Sequence, residues 1–189
     1  MKYLVWIILF LCSACSGSER TKTSHTQEVK GRNQVALYRI NVPMDWKKIP
    51  SDGSLLDTKL PIGEYTLEEG SIRITLHNFP SRTIEDRIPP GAQIARWKKQ
   101  FPFIEESSVP QSFSGYVGFL FEANDNNTAV MGWIMQLGPE QYSRLSFPDF
   151  PEELRSDVTI KAQGPTHLIQ KHRQKIIAFA RSFELIQEI

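Results

Sequence analysis

The sequence predicts an α+β domain in which an antiparallel β-sheet is flanked by helices. Several short segments alternate apolar and polar residues, which is the periodicity of a half-buried strand. Two other segments place apolar residues three or four positions apart, as an amphipathic helix does. Strands and helices also follow one another in blocks, and that order favours an antiparallel sheet over a parallel one.

The strand predictions rest on alternation and on the turn residues that bound each segment. Residues 36–42 and 71–77 alternate clearly, whereas the strand over 60–67 is weakened by Pro61 and Gly63. Two neighbouring segments, 114–123 and 128–137, are apolar on both faces, so we expect central strands that are covered on both sides. The predicted strands are residues 36–42, 60–67, 71–77, 114–123, 128–137, 141–147 and 157–162.

Two helices are predicted from their start signals and apolar stripes. Pro89-Pro90-Gly91 opens the first, whose stripe is Ile94, Trp97 and Phe101. Gly164-Pro165-Thr166 opens the second, because proline suits the first turn of a helix. Its stripe comprises Leu168, His172, Ile176, Phe179 and Phe183. Trp97, like Trp46 near the first strand, is expected to fill the core.

The first residues of the chain have the pattern of a secretory signal. Lys2 is followed by nine apolar residues, 3–11, and then by Cys12-Ser13-Ala14-Cys15. Nine residues are about half the length needed to cross a bilayer as a helix. We therefore expect residues 1–14 to be a cleaved signal peptide.

Ser13-Ala14-Cys15 resembles a bacterial lipobox, although Cys12 stands where that motif usually has Leu. The resemblance implies diacylglyceryl on the Cys15 sulfur, a further acyl chain on the new N-terminus and a protein held in the lipid bilayer. Ser16, in place of Asp, implies an outer-membrane lipoprotein facing the periplasm if the bacterium has two membranes. A cytoplasmic-membrane anchor stays open, as does an ordinary signal peptide with a coincidental cysteine.

Residues 15–34 are predicted to be the lipidated cysteine and a flexible tether. Val29 is the only strongly apolar residue between Ser16 and Asn33, so this segment cannot bury enough surface to fold alone. A spacer of this length reaches about 20–25 Å. Residues 35–189 are expected to form a single domain.

Several segments of that domain resemble PsbP-like proteins. Residues 40–46 resemble the opening strand, proline and tryptophan of those domains, and residues 96–101 resemble their Arg-Trp-x-x-Gln-Phe helix. Residues 159–165 and the helix ending at 178–183 are similar to their closing strand and helix. The resemblance implies an α/β/α sandwich and a non-enzymatic role as a binding partner or assembly factor. It assigns no functional residue.

Composition excludes several kinds of site. The chain has 22 basic and 21 acidic residues, and without Lys2 the numbers are equal, so the basic excess of a nucleic-acid-binding protein is missing. No cysteine follows Cys15, which excludes disulfides, thiolate metal sites and cysteine nucleophiles from the domain. His77, His167 and His172 lack a metal-binding spacing. No cofactor and no metal are predicted.

These observations predict a non-catalytic envelope lipoprotein that binds an unidentified envelope protein. Two alternatives stay open. A carrier of a small apolar ligand would have a closed cavity lined by residues such as Phe119, Met131 and Met135. An enzyme would have a deep pocket with His77 or His172 near a carboxylate.

The final helix carries the candidate interaction face. No acidic residue lies between Thr166 and Phe183. Such a face is ordinarily solvated, but it could also meet an acidic protein or anionic headgroups. Its cations are Lys171, Arg173, Lys175 and Arg181.

Overall fold

The computed structural model describes residues 23–30, 36–50, 60–100, 102–146, 150 and 152–186. The strands are β1 (Ser24–Lys30), β2 (Ala36–Pro43), β3 (Lys47–Lys48), β4 (Gly63–Leu67), β5 (Ile72–Pro80), β6 (Glu105–Phe113), β7 (Tyr116–Asn124), β8 (Thr128–Leu137), β9 (Ser156–Pro165) and β10 (Glu184–Leu185). The helices are α1 (Pro90–Lys98), α2 (Pro139–Arg144) and α3 (Thr166–Arg181), and 3-10 turns lie at Glu68–Gly70 and Glu152–Leu154.

The strands form two antiparallel sheets. The larger has seven strands in the order β3-β4-β5-β9-β8-β7-β6, and the smaller has the order β1-β2-β10. Every strand pair is antiparallel. The α+β class with an antiparallel sheet is therefore confirmed. Within the described residues, no helix has the length and apolar character needed to span a bilayer.

Helix α3 covers one face of the large sheet. Ile176, Phe179 and Phe183 of the predicted stripe are buried, whereas Leu168 and His172 are half-buried and Ile169 takes a buried position in their place. The Phe179 ring lies 4.7 Å from the Trp46 ring, which confirms the core position of Trp46. This layer forms the main core of the protein.

Helix α1 covers only part of the opposite face. The Trp97 ring packs directly on the backbone of Gly132 in β8, where a Cβ atom would lie 1.9 Å from the ring. Phe121 and Ile134 complete this second apolar cluster over β7 and β8. Trp97 is thus a core residue, as predicted, and β8 is buried on both faces. The β5 and β9 side of this face stays uncovered by α1.

The prediction of a flexible tether over residues 15–34 is wrong for Ser24–Lys30. These residues form β1, which pairs with β2 from Ser24↔Pro43 onward. Pairing satisfies the backbone, and burial of Val29 with a 2.6 Å hydrogen bond from Tyr65 Oη to Gln27 Oε1 fixes the strand. The signal peptide and Cys15 lie outside the described residues, as does Phe101.

Two other strand predictions are corrected. The strand expected over 141–147 is the helix α2, which begins at Pro139 and buries Tyr142, with Leu145 just after it. The strand expected from residue 114 begins at Tyr116, because Ser114 and Gly115 have positive φ values of 51° and 80° and form a turn. That turn joins β7 to β6, a strand that alternation did not indicate.

Candidate functional site

A groove of about 1010 Å³ lies on the half of the sheet face that α1 leaves open. Its floor is formed by β5 and β9, one wall by α1, and the other wall by the segment that follows β5. Floor residues include Arg73, Thr75, His77, Thr159, Lys161 and Gln163, and wall residues include Gln93, Arg96, Trp97, Gln100, Asp86, Arg87 and Ile88.

The floor is polar because both strands alternate and their register brings the polar rows together. Thr75 pairs with Lys161 and His77 pairs with Thr159, so these side chains share one face of the sheet. Ile72, Ile74 and Leu76 point to the opposite face and into the main core. Both strands are hydrogen-bonded on both sides: β5 lies between β4 and β9, and β9 lies between β5 and β8. The floor therefore presents side chains, and not backbone groups, to a ligand.

Lys161 lies on this floor beside Thr75, and its ammonium has no carboxylate partner among the described residues. The Lys161 Nζ atom lies 5.9 Å from the centroid of the Trp97 ring. Burial, together with the positive charges of Arg96 and Arg73, lowers the pKa of the Lys161 side chain. A half-buried cation without a counter-ion is costly in the unliganded fold, because burial disfavours the charged form.

A buried ion pair holds the second wall against the sheet. Arg87 donates from Nε to both Asp157 carboxylate oxygens (3.1 and 3.2 Å) and from Nη2 to Asp157 Oδ1 (2.5 Å) and the Leu137 carbonyl (2.7 Å). Asp157 also accepts from the Leu137 backbone N–H (3.1 Å) and the Gln136 amide (3.3 Å). The guanidinium lies over the Tyr142 ring at 5.3 Å. With these partners the pair fixes the wall of the groove.

The four cations of the predicted interaction face lie on α3, on the other side of the sheet. Each of them bonds to another side chain of this protein. Three pair with carboxylates and one donates to an amide oxygen. The contacts are Lys171 Nζ to Glu68 (2.7 Å), Arg173 to Glu122 (2.9 Å for both nitrogens), Lys175 Nζ to Asp45 (2.6 Å) and Arg181 Nη2 to Gln111 Oε1 (3.2 Å). Within the described residues, the structure thus does not show the free basic face expected for an acidic partner.

These contacts also lower the pKa values of two carboxyl groups. The ammonium of Lys171, followed by the His172 ring, lowers the pKa of Glu68. In the same way Lys175 lowers the pKa of Asp45. Lys171 and Lys175 of α3 therefore stabilise the ionised carboxylates of the same protein.

The two histidines considered for catalysis are separated by the sheet. His77 lines the groove, and its ring stacks with that of Phe79 at 6.4 Å. His172 Nε2 lies 2.5 Å from Glu68 Oε1 on the α3 side. Among the described residues, no group of three or more His, Cys, Asp or Glu side chains is placed to hold a metal ion.

The residues expected to line an apolar cavity do not line the groove. Met131 and Met135 are buried in the main core beneath α3. Phe119 is half-buried on β7. The groove lies on the opposite face from the two methionines, and its floor is polar.

Comparison with solved structures identifies the architecture. The chain is similar to cyanobacterial PsbP (CyanoP) from Synechocystis sp. PCC 6803, with a TM-score of 0.53 and 12% identity over 93% of this chain and 99% of that chain. It is also similar to LpqN, a Mycobacterium tuberculosis protein involved in cell envelope biogenesis, with a TM-score of 0.52 and 11% identity over 86% of this chain and 91% of that chain. The chain has a PsbP-like fold.

This PsbP-like fold was the one that the sequence motifs resembled, and that prediction is confirmed. No family model matches the sequence, and no curated protein matches it either. At 11–12% identity the likeness concerns the fold alone.

Proposed function

We propose that the protein is a lipid-anchored, non-catalytic accessory protein of the bacterial cell envelope that binds another envelope protein in its groove. The observation that carries this proposal is the polar groove of about 1010 Å³, whose floor contains a cation that has no carboxylate partner among the described residues. A groove of this size is large enough for a ligand or a short protein segment.

The anchor is supported by the sequence. Ser13-Ala14-Cys15 resembles a lipobox, and two acyl chains suffice for stable attachment to a bilayer. Structural likeness to LpqN, which is involved in cell envelope biogenesis, is consistent with a location in the envelope. The absence of Asp after Cys15 favours the outer membrane, with the domain facing the periplasm.

The binding role is supported by the construction of the groove. Its floor strands lie inside the sheet, so they hold a rigid array of polar side chains. Its second wall is held by the buried Arg87–Asp157 pair. A preorganised polar surface of this kind lowers the ordering cost of binding a partner.

The anchor is tested by metabolic labelling with a fatty acid in the native host. The wild-type protein should carry the label and fractionate with membranes, whereas Cys15→Ser should lose the label. An unlabelled wild-type protein that still starts at Met1 would contradict the anchor.

The groove is tested by site-specific photo-crosslinking in intact cells. A photo-reactive residue at Gln100 or Gln163, which line the groove, should capture the same protein. The matched control is Gln174, an exposed glutamine on α3. Capture of that protein from Gln174 as well, or from neither groove position, would contradict a groove-binding role.

A further inference from the structure

We propose that the floor of the groove contains an anion subsite, centred on Lys161, that takes a side-chain carboxylate from an acidic segment of the partner protein. This inference rests on the function proposed above and names the chemistry of the partner.

The cations around the groove differ in their ion pairing. Arg73 pairs with Glu64, with Nη2 and Oε2 2.9 Å apart, and Arg87 pairs with Asp157. In the part of the chain that the structure describes, neither Lys161 nor Arg96 has such a partner. The groove therefore has two cations available to a ligand, one on the floor and one on the helical wall.

Neutral hydrogen-bond donors lie around Lys161 on the floor of the groove. Thr75 is its cross-strand partner, at a Cβ separation of about 4.5–5.5 Å. Thr159 and Gln163 lie two residues away on the same strand and the same face, at about 7 Å. Hydroxyl and amide groups at these distances can donate to the oxygens of a carboxylate that pairs with the ammonium.

Two further positive charges act on Lys161. Arg96 and Arg73 both repel the charged form of Lys161, which contributes to its lowered pKa. An anion bound between these side chains replaces repulsion with attraction, and it does so on a half-buried floor where charges interact more strongly than in bulk water.

A carboxylate fits this subsite better than a phosphate group does. Phosphate sites typically use backbone N–H groups at a helix N-terminus or in a turn. The N–H groups of β5 and β9 are engaged in the sheet on both sides.

A protein segment fits better than a membrane surface. Lys161 lies on a floor between two walls, so a flat array of headgroups meets the walls first. From Arg73 to Phe79 the floor is about 20 Å long, which is the length of about six extended residues. Ile88, an exposed residue of the second wall, offers an apolar contact along the same segment.

The test uses fluorescence anisotropy with the full mature protein in detergent. The probes are a dye-labelled hexapeptide with two central glutamates and the same peptide with two glutamines. We expect the glutamate peptide to bind more tightly, and Lys161→Gln to weaken its binding by about 10- to 100-fold, as loss of a charge-assisted hydrogen bond does. Lys171→Gln, on the opposite face, is the matched control and should leave the affinity unchanged.

Arg96→Gln gives a second variant on an exposed position, and it should weaken binding by a smaller factor. Equal affinity for wild type and Lys161→Gln, or no binding of the glutamate peptide at millimolar concentration, would overturn the proposal. Displacement of the peptide by inorganic phosphate at much lower concentration than by acetate would also overturn it. Displacement of the glutamate peptide from the non-acylated Cys15→Ser protein by phosphatidylglycerol vesicles would overturn the proposal as well.

Photo-crosslinking separates this inference from the proposed function. If Gln100 and Gln163 still capture their partner in cells that carry Lys161→Gln, groove binding stands and the carboxylate subsite is lost. If the glutamate peptide binds through Lys161 but no protein is captured in cells, the subsite stands and the partner-binding role is lost.

Discussion

The Arg87–Asp157 pair offers a quantitative test of what holds the groove together. The two side chains are only 8% and 10% exposed, and Asp157 also accepts a hydrogen bond from the Leu137 backbone N–H. Asp157→Ala leaves the guanidinium buried without its counter-ion and that N–H without its acceptor. Removal of one partner of a buried pair costs about 3–5 kcal/mol. For a protein of this size, that loss lowers Tm by about 6–20 °C.

The assay is thermal and urea unfolding followed by circular dichroism. Glu106→Ala is the control, because it removes the exposed Lys98–Glu106 pair, and it should change the free energy of unfolding by less than about 1 kcal/mol. The double variant Arg87→Met/Asp157→Leu should recover part of the stability, since it leaves no charge unpaired although the Leu137 N–H still lacks its acceptor. A loss below about 1 kcal/mol for Asp157→Ala would refute the view that this pair fixes the groove wall.

Three further predictions follow from single sites. Gly132→Ala should destabilise the fold by about 1–3 kcal/mol, because its Cβ would meet the Trp97 ring. Gly91→Ala, with open space around it, should stabilise α1 by about 0.5–1 kcal/mol. Urea unfolding measures both changes, and equal effects would contradict the close packing. The pKa of Lys161 is lower in the folded than in the unfolded state, so the unfolded state binds more protons between the two values. The free energy of unfolding should therefore rise as pH increases through that window. Lys161→Met should show a smaller rise, and an identical pH profile for the variant and the wild type would contradict the burial of this charge. Tyr65→Phe removes the hydrogen bond that attaches β1 and should cost about 0.5–1.5 kcal/mol, with faster amide hydrogen exchange in β1; unchanged exchange there would show that the bond does not hold the strand.

Much of the fold was predictable from the sequence because its signals are local. Alternation over residues 71–77 and 157–162 located β5 and β9, and Pro165 located the start of α3. The PsbP-like resemblance rested on the same kind of short motif. Local patterns of this kind depend on which face of an element is buried. In the structure, the alternating apolar residues of β5 and β9 are buried.

The α2 error shows where that reasoning fails. A strand is predicted over residues 141–147, where the structure has the helix α2. The stronger signal was Gly138-Pro139, because Pro139 is the first helical residue of α2 as Pro90 is of α1. Tyr142 and Leu145 lie three residues apart and are both buried on one side of a short helix.

The β1 error has a different cause. Residues 24–30 are mostly exposed, so no periodic burial appears in their sequence. The strand exists because β2 offers a free edge, and backbone pairing needs no apolar side chains. Only the position of β2 in the fold reveals this, and the sequence of β1 does not.

The groove could not be located from the sequence for a similar reason. Polar rows on β5 and β9 were visible, but their contact depends on a register between segments about 90 residues apart. The charges also required the structure, because the cations of α3 formed the most obvious basic cluster. In the fold these residues contact other side chains of the protein, whereas Lys161 has no carboxylate partner in the part of the chain that the structure describes.

The arrangement of helices explains why such a cation can persist. Trp97 fits only where Gly132 removes a side chain, so α1 is fixed over β7 and β8 and leaves β5 and β9 open. A helix that covered the whole face would bury Lys161 completely, and a fully buried cation without a counter-ion would destabilise the fold or lose its proton. Partial cover leaves Lys161 half-buried on the floor of the groove, which is where we propose that a carboxylate binds. The same packing that stabilises this side of the sheet therefore also defines where a ligand can bind.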